Sequence, residues 1–145
     1  MEAPQVGDVI EEGPWAGFTL ISRYTRAEAI ADGVLADVSE TAREAGFAAP
    51  VAVTSAVWAL IEPTEQEKGW GQDAAGRLWD LLRICRQAIR SRSTPTAGEL
   101  LFQVFFQLAG REYHRNGITK LTFKCHSGPG DAGEHVLQIM LPEED

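Results

Sequence analysis

The stretch Ile118-Thr119-Lys120-Leu121-Thr122-Phe123-Lys124-Cys125-His126 decides how the chain folds. Its residues alternate: Leu121, Phe123 and Cys125 fall on one side, and Thr122, Lys124 and His126 on the other. A period of two marks a strand with one face packed and one face wet. Downstream, Gly128-Pro129-Gly130-Asp131-Ala132-Gly133 reads as a turn, and Val136 to Leu141 as a further strand. Upstream, Leu101 to Leu108 is strand-like and nearly all apolar. Asn116-Gly117 is a hairpin signal between the two. If it forms a tight two-residue turn, the first strand must run past Gly110; otherwise the loop is 110–117. Both readings stay open at this level.

Before this region the period is 3.6. Ala74 to about Arg92 is predicted as the longest helix, because Leu78, Leu82, Cys85 and Ile89 recur at i, i+4, i+7 and i+11. Residues 91–98 form a connector rich in Ser, Thr and Pro. Further back, Thr25-Arg26-Ala27-Glu28 has the form of a capping box opening a short helix, Arg26 to Ala31, with Gly33 suited to a left-handed C′ position. Val34 to Val38 reads as a brief extended segment. Ser39 is expected to cap a helix that runs through Ala45 and stops at Gly46. Pro50 breaks the pattern, and Thr54 can cap a helix from Ser55 to Ile61. Residues 63–73 read as a polar loop around Trp70. The expected fold class is α+β: a helical N-terminal half followed by a three-stranded antiparallel β-meander packed on the long helix 74–92. Residues 1–14 read as a flexible leader and 15–145 as a single domain, anchored first by Trp15, Phe18, Leu20 and Ile21.

A chain of 145 residues, 44% of them hydrophobic, can build a core without disulfides or structural metal. No run approaches the roughly 20 apolar residues that span a bilayer, and the N-terminus lacks the basic and apolar regions of a secretory signal. Cys85 and Cys125 stand alone, with no CxxC pair. Reduced thiols and a cytoplasmic location are the expectation. The net charge of −8 is uneven: residues 1–73 carry 13 acids against 4 bases, residues 74–98 one acid against 5 arginines, and residues 99–145 7 acids against 4 bases. An acidic first half repels phosphate, so direct nucleic-acid binding is not expected; it favours a basic protein partner, or serves solubility alone.

Candidate chemistry is sparse. His114, His126, His135 and Cys125 are the residue types that hold zinc, but adjacent strand residues Cys125 and His126 must point apart. His135 shares the parity of Leu137 and Ile139, away from His126. No metal site and no cofactor are expected. Both cysteines fall on apolar faces and read as small core hydrophobes rather than nucleophiles. Carboxylates are plentiful, yet nothing places two of them in one cleft, as acid–base catalysis requires. Gly128-Pro129-Gly130 lies between two strands, so it reads as a turn rather than a phosphate cradle. Two clusters remain as candidate partner surfaces: the acids Glu28, Asp32, Asp37, Glu40 and Glu44, and a stripe of Trp79, Arg83, Arg86 and Arg90 on one face of the long helix. Arginine beside an exposed aromatic can grip phosphate or carboxylate. A solvated helix face has the same composition.

Tyr24-Thr25-Arg26-Ala27-Glu28-Ala29-Ile30-Ala31-Asp32-Gly33-Val34-Leu35 and Asp37-Val38-Ser39-Glu40-Thr41-Ala42-Arg43-Glu44-Ala45-Gly46-Phe47 are distinctive as blocks. With Pro50 to Thr54, Val57-Trp58, Ala75 to Asp80, Gly128 to Asp131 and Ile139 to Pro142, they resemble a family of short uncharacterised proteins of unknown function. Its members occur on proteobacterial plasmids, integrative elements and prophages. The resemblance implies a context rather than an activity: small acidic proteins of mobile elements often block host defences. The expectation is a non-enzymatic inhibitor of a bacterial defence complex (anti-CRISPR or anti-restriction). It would bind a protein subunit with a basic surface through the acidic residues, or add the run Leu101–Leu108 to a partner's sheet edge or insert it between subunits. The alternatives are an accessory of plasmid or conjugation maintenance, and a small enzyme with Glu112 or a histidine facing the arginine stripe.

Overall fold

The computed structural model describes residues 24–91, 98–110 and 117–144. The expected leader, the anchors Trp15 to Ile21, most of the connector, Glu112, His114 and Asn116 lie outside these residues. In chain order the elements are α1 (Arg26–Ala31), β1 (Leu35–Asp37), α2 (Ser39–Glu44), β2 (Val51–Thr54), α3 (Ser55–Ile61), α4 (Glu65–Gly69), α5 (Ala74–Arg90), β3 (Glu99–Gln107), β4 (Ile118–Pro129) and β5 (His135–Met140).

The α+β class holds, but the three-stranded meander does not. Among the described residues the sheet has five strands in the order β1-β2-β5-β4-β3. It is mixed: β1–β2, β5–β4 and β4–β3 pair antiparallel, whereas β2 and β5 run parallel, with Val51, Ala52 and Val53 opposite Leu137, Gln138 and Ile139. β2 is why the expectation failed. It is a run of four buried residues that follows Pro50 and ends in Thr54, the cap of α3. Such a run is too short to show a period, and its partner lies far along the chain.

The helix boundaries follow local chemistry. Thr25, Thr54 and Asp73 each accept an amide of the first turn, at Glu28, Val57 and Gly76. At α2 the expected cap moved: Val38 is the N-cap, and Ser39 instead hydrogen-bonds Asp37 and β2. The full reciprocal box forms at Thr64 and Glu67, where it opens α4 inside the segment read as a loop. Gly46 ends α2 at φ +102, and a Cβ there would meet Arg86 Nε at 2.5 Å.

One sheet face carries the core. Val51, Val53, Phe102, Val104, Phe106, Phe123, Cys125, Leu137 and Ile139 pack against Ala42, Val57, Ile61, Leu78, Leu81, Leu82 and Cys85 of α2, α3 and α5. On the opposite face only α1 packs among the described helices, placing Ala29 on Leu35 and Ala52. That cover stops at the β1–β2 end. The register Gln107↔Ile118, with Leu108 N donating to Gly117 O at 2.9 Å, excludes a two-residue turn at Asn116-Gly117.

Candidate functional surfaces

Three places concentrate chemistry, and the sheet separates them. The first is the acidic set. Glu28 and Asp32 are on α1, which lies on the half-covered face; Glu40 and Glu44 are on α2, which packs on the core face. Asp37 ends β1 between them. The structure therefore divides these residues between two layers. Two of them also serve local structure. Asp32 accepts the Tyr24 hydroxyl at 2.7 Å, and Asp37 accepts the Ser39 hydroxyl and amide at 2.6 and 3.0 Å. The Ser39 hydroxyl bond, with its amide and the nearby Arg26 and Arg43, holds the Asp37 carboxyl below its ordinary value against a smaller opposing effect of burial.

The second is the arginine stripe, which stays together because one helix carries it. Arg83, Arg86 and Arg90 line an open groove of about 500 Å3 with Ala45 and Gln87. Trp79 is a turn away, exposed, and not in the groove. The groove sits where α2 and α5 both end. Arg86 Nε donates to Gly46 O at 3.1 Å, and Arg90 lies in the last turn of α5. Cations at helix C-termini satisfy terminal carbonyls and the helix dipole, so a structural task explains much of this cluster. Neither His126 nor His135 lines the groove.

The third was not singled out from sequence as a solvent-facing surface. On the face of the β3–β4 ribbon opposite the core, which no described helix covers, Leu101, Phe105 and Ile118 are 60%, 64% and 49% exposed. They alternate with Phe102, Val104 and Phe106, which are buried on the core side. Lys124 pairs with Leu101, Thr122 with Gln103, and Lys120 with Phe105, so exposed apolar side chains alternate here with lysines and with the Gln103–Thr122 pair. Lys124 Nζ is held by Glu144 O at 2.6 Å. The signal was faint in sequence because both parities of β3 are apolar, which hides the alternation. An exposed row of large hydrophobics marks an interaction surface more often than an isolated one does.

Beside it, under α1, is a cleft of about 600 Å3 lined by Tyr24, Arg26, Thr54, His126, Asp131 and Gln138 among others. Arg26 Nη2 is buried there with no hydrogen-bond partner among the described residues. Asp131 takes the amides of Arg26 and Ala27 at 2.7 and 2.9 Å, so the first turn of α1 already holds an internal anion.

The remaining candidates fall apart as nucleophiles. Cys85 and Cys125 are both buried, and the hydrogen bond between them, with burial, pushes the Cys85 thiol well above its ordinary value. A thiol kept protonated is a poor nucleophile. His126 and His135 lie on opposite sheet faces, by the pairing of β4 with β5. Ser127 Oγ and His135 Nε2 approach to 2.5 Å at the sheet rim.

No helix among the described residues is long and apolar enough to cross a membrane. Comparison with curated proteins and with solved structures gives no significant match. The model of a family of unknown function, DUF6573, matches residues 13–145, and the chain belongs to that family.

Proposed function

We propose that the protein is a non-enzymatic inhibitor, carried by a mobile element, that binds a subunit of a bacterial defence complex of the CRISPR or restriction type through the open β3–β4 face. The observation that carries the protein-binding reading is the exposure of three large hydrophobics, Leu101, Phe105 and Ile118, on one face of the β3–β4 ribbon, in the half of the sheet that α1 leaves bare. Burying such a row contributes on the order of 25 cal/mol per Å2 of apolar surface, before the cost of association.

The acidic remainder has a different role in this proposal. A net charge of −8 steers the protein toward a basic subunit and raises the association rate, while the apolar face supplies residence. Phosphate mimicry by Glu28, Asp32, Asp37, Glu40 and Glu44 is the weaker version, because α1 and α2 present them from two layers.

The test is affinity capture of the tagged protein from a host carrying restriction and CRISPR systems, read by mass spectrometry. Recovery of defence subunits in defined ratio supports the proposal. Recovery of only conjugation or replication proteins overturns it in favour of the accessory role.

A further inference from the structure

Among the described strands β3 is the outermost on its side of the sheet, and its sequence is nearly symmetric about its centre. Reading outward from Gln103, Phe102 is matched by Val104, Leu101 by Phe105, and Leu100 by Phe106. No charged residue, proline or glycine interrupts residues 100–108. Natural edge strands are usually blunted by lysine, proline, a bulge or a covering segment. β3 pairs with β4 continuously from Glu99 to Gln107, so it also lacks a bulge.

The hydrogen-bond parity fits the same centre. Leu108 N donates to Gly117 O, and Ser127 N to Gly98 O, so the even-numbered residues of β3 turn their main-chain groups toward β4. Alternation along an antiparallel ladder then aims the main-chain groups of Leu101, Gln103 and Phe105 outward. No other strand among the described residues lies on that side.

We infer that β3 pairs antiparallel with β3 of a second copy about a two-fold axis at Gln103, joining two five-stranded sheets into one. In this register Gln103 faces its own counterpart, and Leu101 faces Phe105 of the other copy. The central three pairs supply about six main-chain hydrogen bonds. On the open face, each Leu101–Phe105 pair closes over apolar surface that is exposed in the single chain. On the core face, Phe102 meets Val104 and Leu100 meets Phe106. An isologous contact needs this self-complementarity, and a two-fold dimer is the commonest way to close an edge.

Charge selects this edge over the other. Two copies at −8 repel, yet residues 100–108 are neutral and the adjoining strand carries Lys120 and Lys124. The opposite edge, β1, is three residues long and ends in Asp37, with Glu40 just beyond. Like charges would meet there. The area sets the strength. A strand of this length is about 30 Å long, so the shared edge removes on the order of 1,000 Å2 in total, the low end for a specific interface. The dimer is therefore concentration-dependent. It does not rest on the defence-inhibitor reading, and it would set the Leu101 and Phe105 rows of two copies side by side.

The experiment is light scattering of the purified full chain over a concentration series, together with oxidative cross-linking of Gln103→Cys. The expected result is a mass rising from 15.8 kDa toward twice that value. Gln103→Cys should form a covalent dimer at least about tenfold faster than the exposed control Gln87→Cys, since hydrogen-bonded antiparallel pairs hold Cα atoms about 5.5 Å apart, within disulfide reach. Gln103→Pro should keep the chain monomeric; its amide points away from β4, so the intramolecular ladder is spared. A mass fixed at 15.8 kDa, or a dimer that survives Gln103→Pro, overturns the inference. A monomer whose Leu101, Gln103 and Phe105 amides are nonetheless protected from exchange overturns it too, because another segment then holds the edge.

Discussion

Glu67 and Arg77 face each other at 3.2 Å with side chains only 5% and 3% exposed, and they fasten α4, α5 and the end of β3 together. Arg77 also donates to the carbonyls of Leu60 and Gln107 at 3.0 and 2.5 Å and to Gln72 at 3.3 Å, and lies over the Phe106 ring at 5.4 Å. Glu67 takes the amides of Thr64 and Ala109 at 2.9 and 2.7 Å. Every charge-bearing atom thus has partners, which is what a buried pair needs to repay desolvation. Removing only the cation strands a buried carboxylate. Arg77→Met is expected to cost about 3–5 kcal/mol, read as a shift in the urea midpoint at unchanged slope. A loss below about 1 kcal/mol would contradict this role.

The same carboxylate makes stability depend on acid. Burial pushes Glu67 up, but the amides of Thr64 and Ala109 and the Arg77 guanidinium outweigh it, so the folded value lies below the ordinary one. The unfolded chain then binds the proton more readily. The stabilisation is complete above the unfolded glutamate value and is lost as pH falls through the depressed folded value. Asp37 acts in the same direction. Glu67→Gln should be less stable than the parent at pH 7, with the gap closing below about pH 4. Denaturant titration at several pH values checks this; a gap that widens in acid refutes it.

The ends of β3 and the caps of the helices show what a sequence can disclose. α1 and α3 were readable because Thr25 and Thr54 stand at cap positions, α5 because Leu78, Leu82, Cys85 and Ile89 repeat at helical spacing, and β4 because Leu121, Phe123 and Cys125 alternate with polar residues. β2 was not, since Val51 to Thr54 is buried throughout and its parallel partner is β5. α4 was hidden by its polarity, although Thr64 and Glu67 stood at capping-box spacing. The candidate acids looked contiguous only along the chain; the sheet passes between α1 and α2. The arginines stayed together because one helix carries them.

The two sides of β3 should answer mutation differently. Phe102 stacks on Phe123 with centroids 5.8 Å apart and is buried, so Phe102→Ala should cost about 3–5 kcal/mol. Phe105, three residues on, is 64% exposed, and Phe105→Ala should cost less than about 1 kcal/mol. Thermal melts of both variants decide it. Equal losses would mean that the open face is covered in the free protein.

Asp131 ties the β4–β5 turn to α1 across the whole described chain. Asp131→Ala should cost about 1–2 kcal/mol, with the amides of residues 26–31 losing exchange protection first. Unchanged protection there would show that the Thr25 cap suffices alone.

The central claim, docking through the open β3–β4 face, is tested most directly by capturing defence subunits in parallel with three proteins: the parent, the double variant Phe105→Glu with Ile118→Glu, and the charge-reversed Glu28→Lys, Asp32→Lys, Glu40→Lys, Glu44→Lys. Light scattering of each sample separates loss of the partner from any change in self-association. The account predicts that the face variant, folded by its melt, loses the captured subunits at least about tenfold, whereas charge reversal slows association without abolishing capture. Full capture by the face variant together with loss on charge reversal would contradict the account and return the acidic residues to the contact.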